Sequence, residues 1–383
     1  NFLTAARVHY SGQSDTFVIQ GPPGGEARLI RQENARSAPS QTSMKAFWWN
    51  RKTGEISACY GAAKTHLLPI MIFLMLLRCD LRHILRLGPR MLLGFFTASL
   101  SIVIGFVTVY AACKGLYEPD TWKSFAALSG SWIGGTGNMV AVQEALAVPA
   151  SGMGYALLMD SVNYAVWVML LLALTPLAPA FNGWTGSETN LLNRIGMRLN
   201  RAEEKPAASV EAADLILLLG TGLLVSALCM YLAGKMPTTD FITVPAWTVI
   251  LVTLIGIIAA MTPLARLPGS AQLSSVALYI LIGLIGSMAD FTGLTRAPLY
   301  IASGFLIIGV HAGLMILAAK VFKLDLFTCA VASLANIGGV ASAPILAASY
   351  SEALVPVGVL MALMGYIIGT GGGLLVGKIL SLL

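Results

Sequence analysis

Charge is what this sequence has least of. Only 11% of its 383 residues are Asp, Glu, Lys or Arg, against about 25% in an ordinary soluble domain. That scarcity excludes a water-exposed surface over most of the chain. It also excludes a nucleic-acid footprint, because the Lys and Arg behind the net charge of +6 are better read as markers of membrane topology. The cysteines are scattered: Cys59, Cys79, Cys113, Cys229 and Cys329 form no CxxC and no metal-ligand spacing, so they read as small apolar filler. There is no His/Glu metal spacing, no GxSxG and no P-loop. No enzyme activity, no nucleotide-driven pump and no resident cofactor or metal is therefore expected. No apolar run of signal-peptide type occurs in the first 40 residues.

What is present is apolar sequence, 56% of the chain, with a mean hydropathy of +0.77. The expected fold is an all-α, polytopic, multi-pass membrane protein, in a bacterial inner membrane or, in a eukaryote, an organelle membrane. Residues 1–65 stand apart. They hold eight Lys/Arg, four Asp/Glu and the run Gly21-Pro22-Pro23-Gly24-Gly25. No stretch there approaches the ~20 apolar residues a span needs, so the segment reads as a polar, disordered tail. A first membrane repeat is expected over 66–179, a polar linker over 180–211 and a second repeat over 212–383. The second half has two apolar segments, 213–234 and 243–262, with no counterpart in the first, which thus lacks two leading helices.

Two glycine-centred stretches organise the membrane part. One is Ser131-Trp132-Ile133-Gly134-Gly135-Thr136-Gly137-Asn138, the other Asn336-Ile337-Gly338-Gly339 through Ser342 and Pro344. Each interrupts an apolar segment where a helix would take Leu or Ala. A glycine pair there breaks the helix and bares backbone polar groups, which a bilayer tolerates only where protein or a water-filled cavity satisfies them. A shift of 204 residues lays Gly134-Gly135 on Gly338-Gly339 and Gly154 on Gly358. Such duplication marks secondary transporters. If both stretches are re-entrant hairpins, one side of the membrane carries eleven Lys/Arg, the loop residue Arg78 among them, and the other five. The repeats then come out inverted, and the rich side is cytoplasmic. If both cross fully as broken helices, the count is ten to six and the repeats are parallel.

The expected substrate-binding residues are Ser131, Gly134, Gly135, Thr136, Gly137, Asn138, Asn336, Gly338, Gly339 and Ser342. A half-helix starting after each break would point free N–H groups and its positive dipole end at an anion, while unwound carbonyls suit a cation. Asp160 is an intramembrane carboxylate and by default a functional candidate. Asn163, three residues on, shares its helix face. Asp160, Asn163 and Gln143 are the ion-coupling candidates, with Na⁺ or H⁺ as the ion. His311, alone in an apolar segment, reads as a hydrogen-bonded core residue. Gly369, Gly371, Gly372 and Gly373 read as a helix-packing or bending patch.

The run Leu77-Arg78-Cys79-Asp80-Leu81-Arg82, the hairpin from Gly130 to Val142 and the stretch from Ala335 to Pro344 together resemble the membrane family of domain of unknown function 819 (YjcL-like), over about residues 66–383. The Gly-Gly-Thr-Gly-Asn run is also similar, more distantly, to the hairpin motif of sodium-coupled citrate and glutamate carriers. That second resemblance implies an elevator-type carrier with cation-coupled uptake of organic anions. The expected function is then secondary active transport of a small organic solute, anionic in character. The expected partners are the lipid bilayer, the solute and, by analogy with such carriers, a second copy of the chain. The alternatives are a non-coupled channel-like or ligand-binding membrane protein, or a truncated inactive copy.

Overall fold

The computed structural model describes the strands within residues 7–56 and residues 58–187, 209–288 and 296–383. The chain divides into two compact units, Asn1–Ser43 and Met44–Leu383.

The first unit lies within the segment expected as a polar tail. It contains an antiparallel three-stranded sheet of β1 (Arg7–Ser11), β2 (Thr16–Gln20) and β3 (Glu26–Ile30), in that order. The register aligns Val8 with Ile19 and Tyr10 with Phe17, then Phe17 with Leu29 and Ile19 with Ala27. An apolar residue at every second position is the strand period. Two two-residue strands, β4 (Trp49–Asn50) and β5 (Glu55–Ile56), open the second unit's described chain.

The rest of the second unit is helical, as expected of a polytopic membrane protein. Its α-helices are α1 (Ala58–Leu76), α2 (Leu81–Ile84), α3 (Pro89–Cys113), α4 (Thr121–Gly134), α5 (Thr136–Ala145), α6 (Ala150–Leu174) and α7 (Ala178–Thr185) in the first half. The second half has α8 (Ala212–Ala233), α9 (Val244–Ala259), α10 (Ser270–Met288), α11 (Ala297–Phe322), α12 (Leu326–Ile337), α13 (Gly339–Tyr350) and α14 (Val355–Leu380). Among the described residues, five helical stretches are long and apolar enough to cross a membrane and five more are shorter and apolar. Large side chains such as Ile216, Leu224 and Tyr279 stand about 70% exposed on these helices, as lipid-facing positions do.

The duplication is visible element by element. Helices α1, α3, α4, α5 and α6 have 19, 25, 14, 10 and 25 residues. Helices α10 to α14 follow in the same order with 19, 26, 12, 12 and 26. The extra pair α8 and α9 belongs to the second half. Helices α1, α8, α9 and α10 pack mainly on one another, and α3, α4, α6 and α11 to α14 form a second body. Helix α5 belongs to that second body and also packs on α9 and α1.

Both glycine stretches are hairpins rather than crossing helices. A side chain on Gly130 of α4 would touch Val142 of α5; those two positions would be about 18 Å apart along a straight helix. Phe327 at the start of α12 meets Tyr350 at the end of α13, ring centroids 5.3 Å apart. The hairpins enter from opposite ends. The base of the first lies by the C-terminal end of α14, where Gly377 touches Ala126 and Leu146. The second reaches the N-terminal part of the same helix, where Gly358 meets Ala343 and Pro344. Contacts between loops agree. At one end Thr243 donates to the Ala145 carbonyl (3.1 Å), Arg296 to that of Leu116 and Lys114 to that of Leu383. At the other end the Asn182 carboxamide accepts from the Leu326 N–H (2.8 Å) and Lys320 bonds the Trp184 carbonyl.

Candidate functional site

The two hairpin tips meet near the middle of α14, which is 26 residues and so about 39 Å long. A Cβ on Gly339 would sit 3.8 Å from the Gly135 Cα. Both positions demand glycine. Gly135 (φ 87°, ψ 168°) separates α4 from α5, and Gly339 (φ 59°) begins α13. These are conformations that a Cβ disfavours strongly. Gly338 caps α12 with an ordinary φ of −108°, but a Cβ there would overlap the Ser342 hydroxyl and press 2.6 Å from the Tyr164 ring.

The first hairpin is held by close packing. Along α14, Gly365, Gly369, Gly373 and Gly377 recur every fourth residue. They face Gly134, Gly130 and Ala126 of α4, also four apart. A Cβ on Gly134 would overlap the Gly365 carbonyl and the Asn138 amide, and one on Gly369 would lie 2.7 Å from the Gly134 Cα. Small residues at this spacing let two backbones approach in a bilayer. Gly134 is thus a packing residue as well as a break. Gly137 packs on Met75 of α1, whose sulfur would lie 2.8 Å from a Cβ there.

Polar side chains satisfy the broken main chain. The Asn138 amide donates to the Gly134 carbonyl (2.6 Å), and its oxygen accepts from the Thr370 hydroxyl (2.7 Å). In the other hairpin Asn336 donates to the Ala332 carbonyl (2.9 Å) and accepts from Ser99 (2.7 Å). Both asparagines are fully buried. They act as structural ties.

Asp160 of α6 accepts from Ser131 (3.1 Å) and from the Trp132 indole (3.0 Å), both on one carboxylate oxygen. Among the described residues its other oxygen has no donor. One helical turn on, Tyr164 covers Gly338. Helix α6 therefore touches the last turn of α4 through Asp160 and the tip of the second hairpin through Tyr164. Asn163 goes elsewhere: its amide donates to the Ile301 carbonyl (3.0 Å) and its side chain fills the space left by Gly304 on α11. Gln143 lies buried in α5 with an oxygen lacking any donor, two turns beyond the tip. Thr136 is partly exposed at the first position of α5. Ser342 is 4% exposed and its hydroxyl has no partner. The residues the structure brings together are thus Ser131, Gly134, Gly135, Thr136, Gly137, Asn138, Gly338, Gly339, Ser342 and Asp160. Asn336, Asn163 and Gln143 belong to the supporting shell.

One feature escaped sequence reasoning, and another was expected from it. Tyr366 of α14 lies 3.6 Å from where a Gly135 Cβ would be, and a lone tyrosine in an apolar run carries no signal of that. His311 joins a buried chain, bonded to Ser101 (2.6 Å) and Ser333 (2.8 Å), with the Trp167 indole also on Ser333 (2.9 Å). This is the hydrogen-bonded core histidine expected, and it ties α3, α6, α11 and α12. Among the described residues no group of three or more His, Cys, Asp and Glu could hold a metal ion.

Comparison with known proteins covers the same region. A family model described as a protein of unknown function (DUF819) matches residues 53–383, which takes in every helix from α1 to α14. The uncharacterized membrane protein YjcL of Bacillus subtilis (strain 168) is 24% identical over 333 residues, 84% of this chain and 84% of that protein.

Proposed function

The chain belongs to the DUF819 family of membrane proteins, and from that premise we propose that it is a secondary active transporter of a small organic anion, driven by a Na⁺ or H⁺ gradient. One observation carries the reading. Two helix breaks related by duplication lie side by side, Gly339 against Gly135, halfway along the helix both hairpins share. Bared main chain at that depth is stable only beside protein or a water-filled cavity. Carriers built from inverted repeats bind their cargo at such a place.

The roles follow from the geometry. The first amides of α5 have no side-chain cap and carry the positive end of the helix dipole, which favours an anion. Asp160, with one oxygen engaged and one open, is the group that would take the coupling cation or proton. The partition into two helical bodies supports an elevator movement. The body bearing both hairpins would slide against α1, α8, α9 and α10, taking the site with it.

Reconstituted protein should accumulate an organic anion only when a Na⁺ or H⁺ gradient is imposed, and Asp160→Asn should remove the gradient dependence. Cysteines at positions 135 and 339, with the native cysteines replaced, should cross-link under oxidation, since a Cβ at 339 would lie 3.8 Å from the Gly135 Cα, which keeps the two backbones within disulfide reach. The cross-link should stop uptake until it is reduced. Uptake indifferent to both gradients would refute the coupled mechanism.

A further inference from the structure

Arg78 follows the last turn of α1, and three constraints place it beside the hairpin tips. Met75, one turn earlier, packs on Gly137 at the start of α5. Cys79, the next residue, donates its thiol to the Leu363 carbonyl (3.4 Å) on α14. Tyr366, one turn further along α14, covers Gly135. Arg78 is close enough to the Tyr366 phenol and the Cys79 thiol to act on both electrostatically.

Its surroundings set it apart from its neighbours. Arg82 and Arg86 are exposed to solvent, whereas Arg78 is half-buried. It makes no hydrogen bond or ion pair among the described residues. Asp80, two residues on, is turned away: it caps α2 through the Arg82 N–H (2.9 Å) and pairs with His83 (3.1 Å). A partly desolvated guanidinium without a counterion is costly, and an anion relieves that cost. Three further groups near the tips have no side-chain partner among the described residues. They are the Tyr366 hydroxyl, the Ser342 hydroxyl buried beside the second break, and the uncapped amides of Thr136 and Gly137. All can donate to an oxyanion.

We propose that Arg78 and Tyr366, with the first amides of α5, form a carboxylate-binding subsite, so that the solute is a carboxylic acid held through a guanidinium–carboxylate fork. This rests on the transport reading for the solute's movement, but not for its binding. The fork is the geometry for which arginine surpasses lysine. Counting Arg78 among cytoplasmic loop charges accounts for its sign but leaves unexplained its burial with no counterion among the described residues.

The test is ligand binding to purified full-length protein in lipid nanodiscs, by calorimetry and by thermal shift. The probes are citrate, succinate and L-glutamate, with succinamide as the uncharged control. At least one carboxylate should bind and succinamide should not. Arg78→Gln should weaken that binding about 10–100-fold, the loss of a charged hydrogen-bonding partner. Arg78→Lys should fall between, and Tyr366→Phe should weaken binding less. The unliganded melting temperature of Tyr366→Phe should match the wild type, so a folding defect in the arginine variants cannot hide the answer. Equal carboxylate affinity in wild type and Arg78→Gln overturns the proposal, as does a wild-type protein that none of the three acids stabilises. Carboxylate uptake that survives Arg78→Gln unchanged sinks this subsite and leaves the transporter standing. Binding lost with Arg78 but no flux under any gradient keeps the subsite and sinks the transporter.

Discussion

The two hairpins descend from one ancestral element and have not stayed alike. In the first, the arm α4 lies on α14 with glycine against glycine, and the returning arm is buried at every position from Gly137 to Gln143. In the second, the arm α12 is buried from Leu326 to Ile337, but the returning arm α13 alternates. Its Ser342, Ala343, Leu346 and Ala347 are buried, while Ile345 is 62% exposed. One hairpin is buried along both arms; the other is buried along α12 and along only one face of α13, the face that meets α14 at Gly358. Elements with fewer close contacts open at lower cost, so α13 is the part of the site best able to move without disturbing the core.

The comparison breaks most sharply at the glycine ridge. Gly369→Leu should cost about 3 kcal/mol or more, by forcing apart two backbones in contact, and should appear as a collapse in monodisperse yield. Gly371, two residues on, faces open space, so Gly371→Leu should change the melting temperature little. If the two behave alike, the ridge is not what holds the first hairpin.

The asparagine ties should rank in the same order. Asn138→Ala strands the Gly134 carbonyl and the Thr370 hydroxyl together, costing about 2–3 kcal/mol. Asn336→Ala should cost about 1 kcal/mol, because Ser99 keeps a second acceptor in the Phe95 carbonyl at 3.1 Å. Thermal melts of the two variants settle the order. Backbone strain comes next. Gly135→Ala enters a region essentially reserved for glycine and should cost about 2 kcal/mol, whereas Gly339→Ala enters the left-handed helical region at about 1 kcal/mol. Last, Ser342→Ala deletes a hydroxyl that bonds to nothing. Its melting temperature should stay at the wild-type value while carboxylate affinity falls; unchanged affinity would remove Ser342 from the site.

Much of this was readable in the residues. Glycine pairs inside apolar segments can only be breaks or close contacts, and Gly134 turns out to be both. The duplication marked two equivalent breaks and left hairpins or crossing helices open; the asymmetry of Lys and Arg favoured inverted hairpins, and the fold has them. What could not be read depends on long-range neighbours. Asp160 and Asn163 are three apart, which is about 60° around a helix, enough for one to meet α4 and the other α11. Gly369 and Gly373 were legible as a packing patch, but nothing local names α4 as its partner. Arg78 looked like one more loop charge, because burial without a counterion is invisible before the chain is folded. The strands within 7–30 show the converse, a short local period masked by average composition.

The bond from Asn182 to the Leu326 amide has a consequence for how the gene could be divided. A side chain from the first half seats the foot of the second half's hairpin. Cleaving the chain anywhere between residues 188 and 208 would leave each fragment missing a strut that only the other supplies. Two separately encoded pieces should therefore be degraded when made alone and recovered as a working pair when made together.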